Sequence, residues 1–238
     1  MISIIIPTLN EEKWLPAALK RFEAIKRPHE VIISDGKSTD RTVEIAKGAG
    51  VRVLEHTLPH RQNIAEGRNT GAKAARGNLF VFMDTDASVP QPDKFFDVVE
   101  KYLHDNPKVV AVTPRLYVQP DMATWSDKLV YAIFNRWNAF TNNVLQGGAA
   151  FGEVQIIRRS AFEKVGGYDQ RLIAGEDYDL FSRLSKVGRV RSLDITAYHS
   201  GRRVHKVGWP RLLWQWSINY WGAVFFKKSH SKEWKVIR

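Results

Sequence analysis

The stretch that decides the fold is Leu79-Phe80-Val81-Phe82-Met83, followed directly by Asp84-Thr85-Asp86. The apolar run predicts a buried strand. Asp84 and Asp86 then stand two positions apart at its carboxyl end, so their side chains are expected on roughly the same side. Two carboxylates this close repel each other unless a cation lies between them. Mg²⁺ binds such oxygens together with substrate phosphates. The alternative is a solvated turn, because Asp is common in turns.

Short apolar runs alternate with helical patterns around this stretch. The predicted strands of the first half are Ile2–Ile6, Glu30–Ser34, Val51–Glu55 and Leu79–Met83, with helices starting near Asn10, Ser38 and Ile64. This alternation implies right-handed βαβ units and a mainly parallel sheet flanked by helices. Asn10 is the predicted N-cap of the first helix. Further on, the predicted helices are Pro92–His104, Thr124–Phe140 and Glu176–Lys186, and the extended segments are Val109–Tyr117 and Ala149–Ile157.

The composition is that of an ordinary globular protein. The chain has 238 residues, of which 44% are hydrophobic and 26% charged, which fits one domain or one domain with an appended piece. It has no cysteine, so disulfides, thiolate zinc sites and a Cys nucleophile are excluded. Residues 1–7 lack the basic region of a signal peptide, and no segment offers an uninterrupted membrane span. A cytoplasmic location is therefore expected.

Positive charge is concentrated at the C-terminal end. The formal net charge is +11, and the segment from His199 onward has nine Lys and Arg against Glu233 alone, which gives +8. Residues 207–238 are predicted to be a basic, aromatic, amphipathic helical arm. Such an arm suits an anionic partner, and peripheral contact with the inner face of a membrane is one hypothesis. Packing on the core, or on a second subunit in a homodimer, is the other.

Polar clusters follow several predicted strands or open a later helix. They are Pro7–Glu11, Asp35–Asp40, Asp84–Asp86 and Gly175–Asp179. Ligands of open α/β sheets bind outside the carboxyl ends of the strands, so these clusters predict one common site. In the second cluster, Ser38, Thr39 or Asp40 is able to cap the next helix. That leaves Asp35 without a structural explanation.

The motifs together resemble the family 2 glycosyltransferases of the GT-A fold. The resemblance covers most of residues 1–200 and is carried by Ile4–Glu11, Asp35–Asp40, Gly67–Gly71, Phe82–Asp86, Arg158–Phe162, Val165–Asp169 and Gly175–Leu180. It implies a Rossmann-like α/β catalytic domain over residues 1–206. Residues 1–110 would bind the nucleotide and residues 111–206 the acceptor.

The resemblance also implies a reaction and a set of ligands. The donor would be a nucleotide-sugar, with UDP as the first candidate, and the acceptor a hydroxyl of a glycan or of a lipid-linked molecule. The residues implied in donor binding are Pro7, Thr8, Asn10, Glu11, Asp35, Arg68, Asp84, Gly148, Arg202 and Arg203. Mg²⁺ or Mn²⁺ would be held by Asp86, the better candidate for direct ligation, with Asp84 and His199. No nucleic acid is expected as a partner.

Asp177, beside Glu176, is the candidate general base. It would take the proton of the acceptor hydroxyl as that oxygen attacks the anomeric carbon, and one direct displacement would invert that centre. The helix dipole is expected to keep Asp177 ionised. The alternative is that Glu176 and Asp177 only cap their helix.

Each of the other candidate residues has a structural alternative. Gly148 would approach the donor sugar, or would serve close backbone packing. His199 would complete the metal site, or would be a structural histidine. Arg202 and Arg203 would bind diphosphate oxygens in a fork geometry, or would face solvent.

Other classes of protein fit the sequence less well. A dinucleotide-dependent oxidoreductase needs Gly-x-Gly-x-x-Gly after the first strand, and this chain has Pro7-Thr8-Leu9-Asn10 there. The loops of a P-loop NTPase and of a sugar-1-phosphate nucleotidyltransferase are absent as well. Two alternatives stay open: a polyprenyl-phosphate sugar transferase of the same superfamily, and a non-enzymatic module that binds nucleic acid through its basic charge.

Overall fold

The computed structural model describes residues 1–222 and shows an α/β protein. The strands of this part are β1 (Ile2–Thr8), β2 (His29–Asp35), β3 (Arg52–Glu55), β4 (Leu79–Met83), β5 (Val109–Val118), β6 (Val154–Arg158) and β7 (Arg189–His199). The α-helices are α1 (Leu15–Glu23), α2 (Thr42–Gly48), α3 (Ile64–Ala74), α4 (Pro92–Asp105), α5 (Trp125–Phe140), α6 (Arg159–Lys164), α7 (Glu176–Leu184), α8 (Arg202–Val207) and α9 (Trp209–Trp221). A short π-helix, Thr141–Leu145, follows α5 directly.

One twisted sheet organises the described part of the chain. Its seven strands lie in the order β3-β2-β1-β4-β6-β5-β7. β1 pairs in parallel with β2 on one side and with β4 on the other, so that Ile5 lies between Ile32 and Phe82. The predicted βαβ half is therefore confirmed, and the carboxyl ends of β1, β2 and β4 meet at one edge.

The strand β6 departs from the parallel arrangement. It pairs antiparallel with β4 and with β5, and Met83 lies opposite Val154. The predicted extended segment Ala149–Ile157 becomes a strand only from Val154 onward. Because β6 runs backwards, its first residues lie beside the carboxyl end of β4.

Two apolar cores cover the two faces of the sheet. Side chains of β1 alternate between them, since Ile4 and Ile6 pack with Leu15 and Phe96 while Ile5 packs with Phe181 and other residues of the opposite face. This alternation is the period of a β-strand, and burial on both faces is typical of parallel sheets.

The helix α5 has an unusual distribution of side chains. The predicted helix is confirmed, with Thr124 as its N-cap in a capping box with Asp127. The buried residues of α5 are Asp127, Tyr131 and Asn135, and the Asn135 amide makes two backbone hydrogen bonds with Leu116 of β5. Most of its large apolar side chains are exposed, in contrast to the usual orientation of an amphipathic helix. They are Trp125, Leu129, Ile133, Trp137 and Phe140.

The predicted basic arm is described only in part. Within residues 207–222 the chain forms α9, as predicted, and Trp216 of α9 packs edge-on against Phe134 of α5 with ring centroids 6.0 Å apart. The remaining residues of the arm, 223–238, lie outside the described residues. Across residues 1–222, no helix has both the length and the apolar character needed to cross a bilayer.

Candidate active site

A cleft of about 1070 Å³ opens at the carboxyl edge of the sheet. It brings together all of the predicted site residues except Asn10 and Asp35. The predicted residues that line it are Pro7, Thr8, Glu11, Arg68, Asp84, Asp86, Gly148, Glu176, Asp177, His199, Arg202 and Arg203. They come from six different segments of the chain, and the parallel strands gather the first of them at one edge.

Arg68 connects the two acidic motifs. It lies on α3 and is 1% exposed. Its Nη1 donates to Glu176 Oε1 at 3.0 Å, and its Nη2 lies 3.4 Å from Asp84 Oδ1 and donates to the Gly152 carbonyl at 2.7 Å. The guanidinium also lies over the ring of Tyr168. One buried cation thus fixes the distance between Asp84 and the start of α7.

Asp177 occupies the first turn of α7, where the backbone N–H of Tyr178 donates to its Oδ1 at 2.7 Å. Burial raises the pKa of Asp177, and the charge of Arg68 only partly opposes this effect. Burial therefore works against the helix dipole, and the expectation that the dipole keeps this carboxylate ionised stays a prediction. A raised pKa makes the deprotonated form a stronger base.

The neighbouring carboxyl groups are perturbed in the same direction. Burial raises the pKa of Asp84 to about 7 and that of Glu176 to about 8. In Asp84 the repulsion from Asp86 adds to burial while Arg68 opposes it. A cleft with several such groups binds protons or cations readily near neutral pH, which is typical of functional sites.

Glu153 also lines the cleft, although it was not among the site residues predicted from the sequence. It directly precedes β6, and its carbonyl accepts from the N–H of Asp84 at 3.1 Å. Burial raises its pKa to about 7, with repulsion from Asp86 and Asp177 adding to the effect. Its position depends on the antiparallel course of β6, and no local motif in the sequence signals that course.

The end of β7 reaches the cleft through a bridge to the segment after Asp86. Ser88 and Tyr198 exchange two backbone hydrogen bonds of 2.8 Å. Although β7 is an edge strand far from β4, this bridge places residues 199–202 over the acidic pair. Ser200 Oγ then donates to Asp86.

Arg202 completes this connection. Its two terminal nitrogens donate to the carboxylate of Glu11 at 2.8 and 2.9 Å, and its Nε lies 3.2 Å from Asp86 Oδ2. Glu11 Oε2 accepts in addition from Thr85 Oγ1 at 2.9 Å. Residues from the beginning of the chain and from beyond β7 are thereby held around Asp86.

His199 has the properties of an available metal ligand. Burial lowers its pKa to about 4, so the imidazole is neutral at pH 7. Its Nδ1 accepts from the N–H of Gly201 at 3.2 Å, which places the proton of the neutral ring on Nε2, and this buried Nε2 has no hydrogen-bond partner. A buried polar atom without a partner is costly, and Nε2 would become a metal ligand once the proton moves to Nδ1 and the bond from Gly201 is given up.

The cleft supplies too few ligands for a cage made of protein alone. Among residues 1–222, no group of three or more His, Cys, Asp and Glu side chains is arranged to hold a metal ion. The residues present fit Mg²⁺ or Mn²⁺ in the mode that uses one or two carboxylates together with substrate phosphates.

Asp35 and Asn10 are held by the protein itself. Asp35 accepts hydrogen bonds from Thr8 Oγ1 at 3.0 Å and from the N–H of Ser38 at 2.8 Å, and it is 1% exposed. The expectation that no structural role explains Asp35 is therefore wrong. Asn10 does not cap α1. It has φ of 58°, and its side chain accepts from the N–H of Thr39 at 2.7 Å.

Gly148 has a structural requirement besides its place in the cleft. Its φ is +75°, and a Cβ atom at this position would lie 2.1 Å from the carbonyl oxygen of Phe181. The close backbone packing that the sequence offered as the structural alternative for Gly148 is therefore present. It holds the segment before β6 against α7, next to Asp177.

Comparison with known proteins agrees with this geometry. The sequence profile of glycosyl transferase family 2 matches residues 3–166. A dolichyl N-acetyl-alpha-D-glucosaminyl phosphate 3-beta-D-2,3-diacetamido-2,3-dideoxy-beta-D-glucuronosyltransferase of Methanococcus voltae is 27% identical over 208 residues, which is 79% of this chain and 62% of the relative. The chain therefore spans less than two thirds of that relative's length.

Solved structures share the fold. A mannosyltransferase from Pyrobaculum calidifontis, in complex with GDP-Man and Mn²⁺, superimposes with a TM-score of 0.68 at 21% identity, covering 90% of this chain and 59% of that one. Glucosyl-3-phosphoglycerate synthase from Mycobacterium tuberculosis, with Mn²⁺, UDP and glucosyl-3-phosphoglycerate, gives 0.62 at 21% identity, covering 94% and 78%. Both comparisons support the predicted GT-A fold.

Proposed function

This chain belongs to glycosyl transferase family 2, and we propose that it transfers a sugar from a nucleotide-sugar to an acceptor hydroxyl with inversion at the anomeric carbon. The observation that carries the proposal is the bridge made by Arg68, which links Asp84 to Glu176 in one cleft. A donor-binding motif and a candidate base are thereby held in a single rigid arrangement. We assign catalysis to residues 1–206 and donor binding mainly to residues 1–110.

The diphosphate of the donor would lie near Asp86, His199 and the two arginines Arg202 and Arg203. Asp86 and His199 would hold Mg²⁺ or Mn²⁺, which when bound supplies positive charge to the leaving diphosphate. Pro7, Thr8 and neighbouring residues of the cleft would contact the nucleoside. Asp35 would act indirectly, since its hydrogen bond with Thr8 holds the carboxyl end of β1.

The acceptor reacts on the Asp177 side of the cleft. The acceptor oxygen attacks the anomeric carbon, the bond from that carbon to the diphosphate breaks, and the hydroxyl proton passes to Asp177. The nucleoside diphosphate leaves with the bonding electron pair. A single displacement of this kind gives an inverted product. A product that retains the donor's anomeric configuration would exclude this role of Asp177.

Thermal unfolding with UDP and with GDP, each with and without Mn²⁺, tests the donor site. We expect a metal-dependent rise in Tm with one nucleotide, since a ligand that binds only the folded state stabilises it by about 2.7 kcal/mol at a hundredfold excess over Kd. The rise should be lost in Asp86→Asn. It should persist in Asp194→Asn, an exposed carboxylate outside the cleft. Absence of a shift with both nucleotides would contradict the proposal.

A further inference from the structure

The solvent side of α5 carries a stripe of large apolar side chains that continues onto the π-helix. This surface, the α5 stripe, consists of Trp125, Leu129, Ile133, Trp137, Phe140 and Leu145. Trp125 is 77% exposed and Trp137 is 59% exposed. At 1.5 Å per residue the stripe is about 30 Å long. Contiguous exposed apolar surface on this scale typically marks a binding site.

The opposite side of α5 already makes the contacts that hold the helix to the sheet. Asp127 accepts from Trp209 Nε1 at 2.8 Å and hydrogen-bonds the imidazole of His205 at 2.9 Å, and Tyr131 packs against His199. The α5 stripe is therefore not a core face of the described fold. It faces outward because the polar side of the helix is the buried one.

The exposed charges on α5 itself have one sign. Lys128 and Arg136 are exposed on α5, and Asp127, the one carboxylate within residues 125–145, is buried. Residues 202–221, which form the neighbouring helices α8 and α9, contain no Asp or Glu. A second copy docked here about a twofold axis would bring like charges together. A layer of anionic headgroups above an apolar phase complements both the basic and the apolar side chains.

We propose that the α5 stripe docks this protein on an anionic lipid surface. Trp side chains near the two ends of α5 suit the boundary between headgroups and acyl chains, while Leu129 and Ile133 enter the apolar layer. The surface proposed is thus α5 and the π-helix, rather than the basic arm alone.

The position of the stripe gives docking a consequence for the cleft. Trp137 and Leu145 also line the cleft, together with Trp216 and Tyr220 of α9. A docked molecule would therefore open its cleft next to the lipid layer. If the proposed function holds, a hydroxyl on a lipid-linked acceptor would enter there without leaving the membrane surface. This last step rests on the proposed function, whereas docking itself does not.

Vesicle binding by the full chain tests the proposal. Cosedimentation is measured with phosphatidylcholine vesicles, with and without phosphatidylglycerol, for the wild type and for Leu129→Gln/Ile133→Gln. The matched control is Leu58→Gln/Val98→Gln, which removes two exposed aliphatic side chains outside the stripe. We expect tighter binding to the anionic vesicles, weakened more than about tenfold in the stripe variant and unchanged in the control.

Several outcomes would overturn the proposal. Vesicle binding that is absent in the wild type, equal for both lipids, or unchanged in the stripe variant would each do so. The stripe would be assigned to a second copy if the wild type does not bind vesicles and is a dimer in analytical ultracentrifugation, while the stripe variant is a monomer. A Tm lowered more than in the control would assign it to packing within the chain. Nucleotide-induced stabilisation is measured in parallel, so that failure of docking and failure of the proposed function are distinguished.

Discussion

At the scale of single residues, Arg68 explains how several carboxyl groups share one cleft. Its guanidinium contacts Glu176 and Asp84, and it carries the positive charge nearest to both. Each carboxylate is expensive to bury alone, and the shared cation reduces that cost. The same contacts fix the geometry that catalysis would need, so stability and function depend on one side chain.

Replacement of Arg68 by Met should destabilise the protein by about 3–5 kcal/mol, because it leaves the buried Glu176 and the half-buried Asp84 without their counter-ion. The loss should be smaller at pH 5 than at pH 8. The pKa values of Asp84 and Glu176 are already raised to about 7 and about 8, and lowering the pH neutralises both groups. Urea unfolding at the two pH values measures this difference. Arg41→Met, which breaks an exposed pair with Glu44, should leave stability nearly unchanged at both pH values.

Asp177→Asn should reduce the transfer rate by about 10²–10⁴ without lowering stability. Burial raises the pKa of Asp177 above its unfolded value, so its contribution to stability is present at low pH and lost as the pH rises through the folded pKa. The neutral Asn removes that cost near pH 7 and still accepts from Tyr178. Transfer rates and urea unfolding of the same preparation are compared. Wild-type turnover, or a fall in stability large enough to explain the lost activity, would contradict the assignment.

Most of the site residues predicted from the sequence line the cleft, because they end parallel strands or stand in motifs. Asp84 and Asp86 are examples, since the strand before them fixes their place. The structural role of Asp35 was only partly visible, because the N–H of Ser38 is local whereas its other partner, Thr8, is distant in sequence. Glu153 was missed because its place depends on pairing between β4 and β6.

At the scale of elements, α5 links the sheet to the helices that follow β7. Asp127 makes the link to those helices through hydrogen bonds with His205 and Trp209, and Asn135 makes the link to the sheet through Leu116. The sequence predicted the helix from its apolar spacing. It did not predict which side faces the sheet, because Asp127 is buried only when partners from a distant segment satisfy it.

Asp127→Asn should therefore destabilise the protein by about 2 kcal/mol at pH 7, the range for lost hydrogen bonds to a charged group. Burial alone would raise the pKa of Asp127, but hydrogen bonds from His205, Thr124 and Trp209 lower it below its usual value. The stability it contributes is present above the unfolded pKa and is lost as the pH falls through the folded pKa.

Urea unfolding of the two proteins at pH 7 and at pH 3 measures this effect. The difference between the wild type and Asp127→Asn should shrink in acid. Asp194→Asn provides the matched control, since the Asp194 side chain is 81% exposed and pairs only at the surface with Arg115. A variant as stable as this control at pH 7 would show that Asp127 does not hold α5 in place.

At the scale of the whole molecule, the described residues before and after position 110 form one folded body. Phe82 of β4 packs against Phe162 and Tyr168 with ring centroids 5.1 Å from each. In the sheet, β6 lies between β4 and β5. The strands before and after residue 110 therefore belong to one continuous sheet. The division at residue 110 that the resemblance implies falls within β5, and the sheet crosses it because β6 runs back to β4.

We therefore expect the described fold to unfold in one cooperative transition. Far-UV circular dichroism reports helices on both sides of residue 110, whereas seven of the eight tryptophans follow it and Trp14 alone precedes it. In urea, the two signals should give the same midpoint, because loss of either half exposes the shared contacts of Phe82. Trp14→Phe serves as the control that the fluorescence change comes from the later residues. Separate midpoints for the two signals would show that the halves fold independently, and a chain ending at residue 110 would then be expected to fold alone.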